Sequence, residues 1–297
     1  MLIVNAFKIF MDEKKINGFT SKTLDFYNDS AGSFVRYCIE QHKGEVNVDE
    51  IQQYVAPYFI AAQERGTSAT TRHTYLRGIK TFTRFLHAEE YIDRPIKLPK
   101  VRCPTTYVKA LSTDQMRKLL SFFSTDRFTG VRNKMIVRVM CDTGLRLQEV
   151  CGLYTTDVDL TEGFLLVRHG KGQKERSVPF GKKTRAALWQ YLKQRERHAR
   201  PQHKELFITT SGAPLKGRSV QIMFKRLRKR VKFEDIRLSP HTLRHSFALA
   251  YIENGGDPFS LQKILGHTTQ TMTAKYVNMA KSNVKYQHEK FSVGNDI

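Results

Sequence analysis

Ser239-Pro240-His241-Thr242-Leu243-Arg244-His245-Ser246-Phe247-Ala248-Leu249-Ala250-Tyr251 opens as a helix. Ser239 suits the N-cap, where its hydroxyl accepts from a free backbone N–H. Pro240 suits the first helical position, where no N–H is needed. Leu243, Phe247, Ala250 and Tyr251 recur at helical spacing and predict a buried stripe. His241, Arg244 and His245 fall at i, i+3 and i+4 on the other side, near the positive end of the helix dipole. Arginine offers a planar fork to two oxygens of an anion, and histidine offers one donor that can also move a proton. A metal reading competes, because histidines one turn apart can share a zinc ion. The metalloprotease pattern carries Glu at the position of Thr242, so the anion reading is preferred and no metal is expected.

Working outward, Thr143-Gly144-Leu145-Arg146-Leu147-Gln148-Glu149 predicts a turn at Gly144 and a helix over 145–154. Leu147, Val150, Cys151 and Tyr154 form its apolar side, and Arg146 and Glu149 lie off it. Taken alone, that pair reads first as a helix salt bridge worth about 0.2–0.5 kcal/mol. Residues 163–168 and 174–179 predict two strands around a glycine-bearing turn that holds Lys171 between Gly170 and Gly172. Most turn lysines are simply solvated, yet one on a hairpin can reach into a groove and protonate a leaving oxygen. Downstream, Asp257-Pro258 starts a helix that Gly266 stops, with His267 directly after. The helix predicted over 269–288 sets Met272, Tyr276 and Met279 on one face. By that spacing alone Tyr276 is a core aromatic.

Residues 1–92 read as a helical domain, with the fourth helix over about 70–90. One face of that helix is apolar (Tyr75, Leu76, Ile79, Phe82, Phe85, Leu86). The other carries Arg72, His73, Arg77, Lys80 and Arg84, which suit phosphate contact as well as plain solvation. Within 93–108, three prolines and four cations (Arg94, Lys97, Lys100, Arg102) disfavour regular structure and predict an extended basic linker. Ten such residues span on the order of 30 Å. The second domain, 109–297, is helix-rich with the small hairpin inserted, and a tail begins at about 281. Ser112 and Gln115 predict a capping box at its first helix.

The chain has 297 residues, enough for two full cores. Fifty Lys and Arg against twenty-eight Asp and Glu give a formal charge of +22, which points to a polyanion. Cys38, Cys103, Cys141 and Cys151 form no CxxC pair, which excludes a zinc ribbon and a disulfide framework and fits reduced cysteines in a cytoplasmic protein. The short apolar start soon meets Asp12, Glu13, Lys14 and Lys15, so it reads neither as a signal peptide nor as a membrane span.

The ordered boxes TGLRLQEVCGL, GKGQKER, SPHTLRHSFA and LGH, followed by Tyr276 nine residues after His267, resemble those of the tyrosine recombinase (phage-integrase) family, closest in style to its compact Xer-type members. The resemblance covers about residues 1–290. It implies a mainly α fold in two domains: a four-helix, SAM-like core-binding domain, then an α+β catalytic domain with a small antiparallel sheet. The two would clamp duplex DNA. It implies cleavage and rejoining of DNA through a 3′-phosphotyrosine without cofactor. Tyr276 would be the nucleophile and Lys171 the general acid for the 5′-oxygen. Arg146, Arg244, His241 and His267 would hold the phosphate, with Glu149 and His245 supporting them. Lys174 and Arg176, flanking the hairpin turn, would join Arg72, Arg77, Lys80 and Arg84 in contacting DNA. The implied partner is double-stranded DNA with an inverted-repeat core site, bound by a dimer per site and a homotetramer on two sites. A second recombinase or accessory proteins could take part, acting at the nucleoid. The length leaves no room for an added arm-binding domain, which favours resolution of a mobile element or replicon dimers, or integration of a small element. A type IB topoisomerase, a telomere resolvase and a non-catalytic DNA-binding regulator are the alternatives.

Overall fold

The apolar spacing of the first ninety residues produces four helices. They are α1 (Ile3–Ile16), α2 (Ser21–His42), α3 (Gln52–Glu64) and α4 (Ala69–Ala88). The computed structural model describes residues 1–103, 109–168, 175–234, 236–280, 288–290 and 292. The chain divides into two compact units, Met1–Thr106 and Tyr107–Ile297. In the first, Phe10 meets Tyr27, Phe82 and Phe85 edge-on, with ring centroids 5.1, 5.4 and 5.4 Å away. Such pairs add about 0.5–1.5 kcal/mol each beyond the area they bury.

The first unit runs past the expected boundary at 92. The prolines keep 93–103 out of helix and strand, but Ile96, Leu98 and Val101 pack on the helical core. Gln52 accepts from the Lys97 backbone N–H at 2.7 Å and donates to its carbonyl at 3.2 Å. Extended conformation was legible from the prolines. The adhesion rests on apolar residues spaced between the cations, whose partners lie far away in sequence.

The second unit contains α5 (Thr113–Ser121), α6 (Phe128–Thr143), α7 (Leu147–Cys151), β1 (Val158–Asp159), β2 (Phe164–Val167) and β3 (Arg176–Pro179). These are followed by α8 (Lys182–Glu196), α9 (Gly217–Arg230), α10 (Pro240–Glu253), α11 (Pro258–Leu265) and α12 (Gln270–Met279). The strands form an antiparallel sheet in the order β1-β2-β3, with Val167 opposite Arg176. Central α6 buries Met135, Ile136, Val137, Val139 and Met140 and packs against both α8 and α10. The capping box of α5 forms as the spacing predicts, with Gln115 N–H donating to Ser112 Oγ at 3.2 Å and Ser112 N–H to Gln115 Oε1 at 2.9 Å.

Three expectations change. Strand β1, two residues long, is too short to leave a periodic signal. The helix expected over 145–154 is only α7, because Gly152 ends it, and Arg146 is its extended N-cap (φ −69, ψ 151) rather than part of its first turn. Helix α10 buries Thr242, Leu243, Arg244, Ser246, Ala248 and Ile252 instead of a single stripe, since α6, α11 and α12 all pack against it.

Candidate active site

Helix α6 ends at Gly144 in the left-handed region, φ 62. A Cβ there would collide with Phe247 and Leu265, so glycine lets the α6 terminus sit directly against α10 and α11. The turn delivers Arg146 to the N-cap of α7. Glu149 then accepts from the Arg146 backbone N–H at 2.8 Å and from Arg146 Nη1 at 2.9 Å. The predicted pair exists, but the Glu149 side chain is only 4% exposed, so it is no solvated surface salt bridge.

Helix α11 ends the same way at Gly266, φ 64, which leaves carbonyls of its last turn free to accept. Arg244, 3% exposed, donates to Leu265 O and to Gly144 O, each at 2.8 Å. Arg146 donates to Leu265 O and Gly266 O at 3.4 Å. Two guanidinium groups widely separated in sequence thus meet at one helix terminus. Burial, and then the neighbouring Arg146, lower the Arg244 pKa to about 10, which leaves it charged at neutral pH.

The histidines surround this pair. His241 is exposed and His245 half-buried on α10, with ring centroids 4.4 Å apart. Just after α11, His267 Nδ1 lies 2.9 Å from Thr273 Oγ1 of α12. Burial, helped by adjacent cations, pushes His245 and His267 down to about 4, and His241 down as well. All three are neutral at pH 7, each with one donor and one acceptor nitrogen.

Tyr276 is 5% exposed, and its hydroxyl lies 2.6 Å from His245 Nδ1. Its ring stacks alongside that of His267, with centroids 6.4 Å apart. The buried positions of α12 are Thr273 and Tyr276, while the expected stripe partner Met272 is 44% exposed. The helix therefore turns its hydroxyl-bearing side, not its methionines, toward the histidines. Burial raises the phenol pKa, and Arg244 opposes this only in part.

Arg176, expected to contact DNA, points inward, with its side chain 14% exposed. Its Nη1 and Nη2 each lie 3.0 Å from one oxygen of Glu149, and its Nε donates to Ile264 O at 2.9 Å. The sequence held one hint: Arg176 shares a strand face with the apolar Val178, two residues on. The identity of its partner did not show. Burial disfavours the Glu149 charge, but the Arg176 hydrogen bond and the Arg146 backbone N–H outweigh it and hold the carboxyl below its ordinary range.

Beside the arginines opens a groove of 790 Å³ lined by Arg146, His241 and Arg244 and by Gln221, Lys225 and Arg228 of α9. The spacing of the α9 residues, i, i+4 and i+7, marks one helix face and was readable as a candidate basic surface. In the first unit, Arg77, Lys80 and Arg84 are exposed on α4. Arg72 turns back to donate to Thr67 O at 2.7 Å. Lys171 and Lys174 lie outside the described residues. No group of three or more His, Cys, Asp or Glu among the described residues could hold a metal ion, and no described helix is long and apolar enough to cross a membrane.

The family model "Phage integrase family" matches residues 109–283, a stretch that contains Arg146, Glu149, Arg176, His241, Arg244, His245, His267 and Tyr276. The chain belongs to the phage integrase family. Tyrosine recombinase XerC of Thermodesulfovibrio yellowstonii is 31% identical over 91% of this chain and 90% of its own length. Tyrosine recombinase XerD of Halalkalibacterium halodurans is 30% identical over 96% and 97%. Among solved structures, the Tn1549 transposon integrase in complex with transposon right end DNA shares the fold, with a TM-score of 0.77 at 21% identity over 98% and 99% of the two chains. This phage-integrase member is a DNA-binding tyrosine site-specific recombinase with the mainly helical, two-unit architecture and small antiparallel sheet that its sequence predicts.

Proposed function

We propose that Tyr276 attacks a DNA phosphate held by Arg146, Arg244, His241 and His267, leaving a 3′-phosphotyrosine and a free 5′-hydroxyl. The convergence of the Tyr276 hydroxyl with two arginines and three neutral histidines carries this reading. A phenol near pKa 10 attacks slowly at neutral pH unless its proton has somewhere to go. The Tyr276 oxygen bonds to phosphorus as the bond from phosphorus to the 5′-oxygen breaks. The phenolic proton leaves through the neutral His245 and His241. Lys171 supplies a proton to the 5′-oxygen. Positioned cations stabilise the charge that spreads over the phosphoryl oxygens. The phosphotyrosine keeps the bond energy, so rejoining to another 5′-hydroxyl needs no nucleotide cofactor.

Recombination of this kind needs two DNA sites and protomers acting in turn. The reading is therefore a dimer on each inverted-repeat core site and a homotetramer across two. The biological reaction is integration and excision, or resolution of a mobile element or replicon dimers. Arg77, Lys80 and Arg84 of α4 supply phosphate contacts. A nicked suicide substrate carrying a site selected from random DNA tests the chemistry. The wild-type protein is expected to form a covalent adduct and Tyr276→Phe none. An adduct in Tyr276→Phe, or none from the wild type, refutes it.

A further inference from the structure

We infer that Arg176 is a positioning residue for strand cleavage, one that keeps Glu149 ionised and so keeps Arg146 aimed at the phosphate. The inference rests on the cleavage reading above and concerns a residue that touches neither the nucleophile nor, on this account, the DNA. Three bonds define its place. The guanidinium grips both oxygens of Glu149 at 3.0 Å, and its Nε holds Ile264 O at 2.9 Å. Arg176 thereby ties β3 to α7 and to the last turn of α11. That same turn presents the Leu265 and Gly266 carbonyls to Arg146 and the Leu265 carbonyl to Arg244. The geometry is tight on the far side too, since a Cβ on Gly266 would lie 3.1 Å from the Arg176 guanidinium.

The chemistry explains why an arginine is needed there. Glu149 is buried, and a buried carboxylate stays charged only when paired and fully hydrogen-bonded. The charged groups facing it are Arg146 at the N-cap of α7, Arg176 from β3 and, at longer range, Arg244 from α10. Arg146 cannot supply this pairing alone if it is also to turn donors toward a DNA phosphate. Arg176 satisfies the carboxylate from the opposite side and frees Arg146 for that task. Without it, burial dominates and Glu149 takes up a proton as the pH falls. Arg146 then loses its ion pair and its orientation. A planar fork meets both carboxylate oxygens at once, which a lysine cannot do.

Arg176→Gln, assayed with the full chain on a nicked suicide substrate, is expected to bind DNA with unchanged affinity. It should cleave on the order of 100-fold more slowly at pH 7, the scale set by misplacing a group about 1 Å. Its cleavage should also fall from pH 8 to 6 more steeply than that of the wild type. The double variant Glu149→Gln/Arg176→Gln removes the titrating group and should lose that acid limb. Arg176→Lys serves if the Gln variant does not fold; it should bind normally and cleave about tenfold more slowly, a loss equal to one pKa unit. A pH profile of Arg176→Gln parallel to wild type, or wild-type cleavage by Arg176→Lys, overturns the proposal. So does a loss of DNA affinity with normal cleavage of bound DNA, which would make Arg176 a DNA contact. Adduct formation by the wild-type protein in the same assay tests the cleavage reading separately.

Discussion

Individual side chains in this site change meaning with their surroundings. Tyr276, read by helical spacing, is a core aromatic, and at 5% exposure it is indeed buried. What its spacing could not supply is the imidazole 2.6 Å from its hydroxyl, contributed by a helix thirty-one positions earlier. Glu149 and Arg146 were legible as a pair, but the second arginine on Glu149 was not, because a strand position says nothing about which buried charge lies across from it. The histidines give a testable consequence. His245 and His267 titrate near 6.5 when unfolded and at about 4 when folded. Between those values the unfolded chain binds protons that the folded chain does not. Their contribution is therefore fully present above about pH 6.5 and is lost progressively as the pH falls toward 4. The melting temperature of DNA-free wild type should drop between pH 7 and 4.5, and His245→Gln/His267→Gln should drop less over the same range. Equal drops would show that these rings are not held neutral.

At the scale of elements, the helix boundaries that build the site were the most readable part of the chain. Ser239-Pro240 starts α10 and Asp257-Pro258 starts α11, each with the N-cap side chain accepting from the predicted backbone N–H. Glycine stops α6 and α11, with positive φ at both ends. Such signals are legible because caps are local. The length of α7, the third strand β1 and the adhesion of 93–103 to the first unit are set by packing between distant residues, and propensity gives no view of them. The α11 stop is also where the two arginines are anchored, so it couples stability to chemistry. Gly266→Ala places a side chain in the left-handed region, at a cost of about 1–2 kcal/mol, and presses on the Arg176 guanidinium. The expected result is a melting temperature lower by several degrees and slower cleavage, with DNA affinity retained. Unchanged cleavage in a destabilised variant would separate this turn from the aim of the arginines.

For the whole molecule, composition carried more than fold. A formal charge of +22 announced a polyanionic partner before any motif was considered, yet only the ordered boxes turned that into a DNA-joining enzyme. The two-unit plan was visible in the shift from helical periodicity to prolines and cations after residue 92. On the proposed function, basic α4 and the α9 face beside the groove are the surfaces expected to contact phosphates. Affinity for a selected site should fall steeply with salt, by about 10³–10⁵ between 50 and 200 mM for six to ten phosphate contacts. Lys80→Ala and Arg84→Ala should each lower the log–log salt slope by about 0.9, the share of one phosphate, without altering sequence preference. A changed preference would move these residues from phosphate contact to base readout. The proposed chemistry turns on the identity of the attacking atom. Trapping the protein on a suicide substrate, trimming the DNA with nuclease and sequencing the modified peptide by mass spectrometry tests it directly. A single nucleotide joined through its 3′-phosphate to Tyr276 is the expected result. Attachment to another residue such as Tyr286, or through a 5′-phosphate, would contradict it.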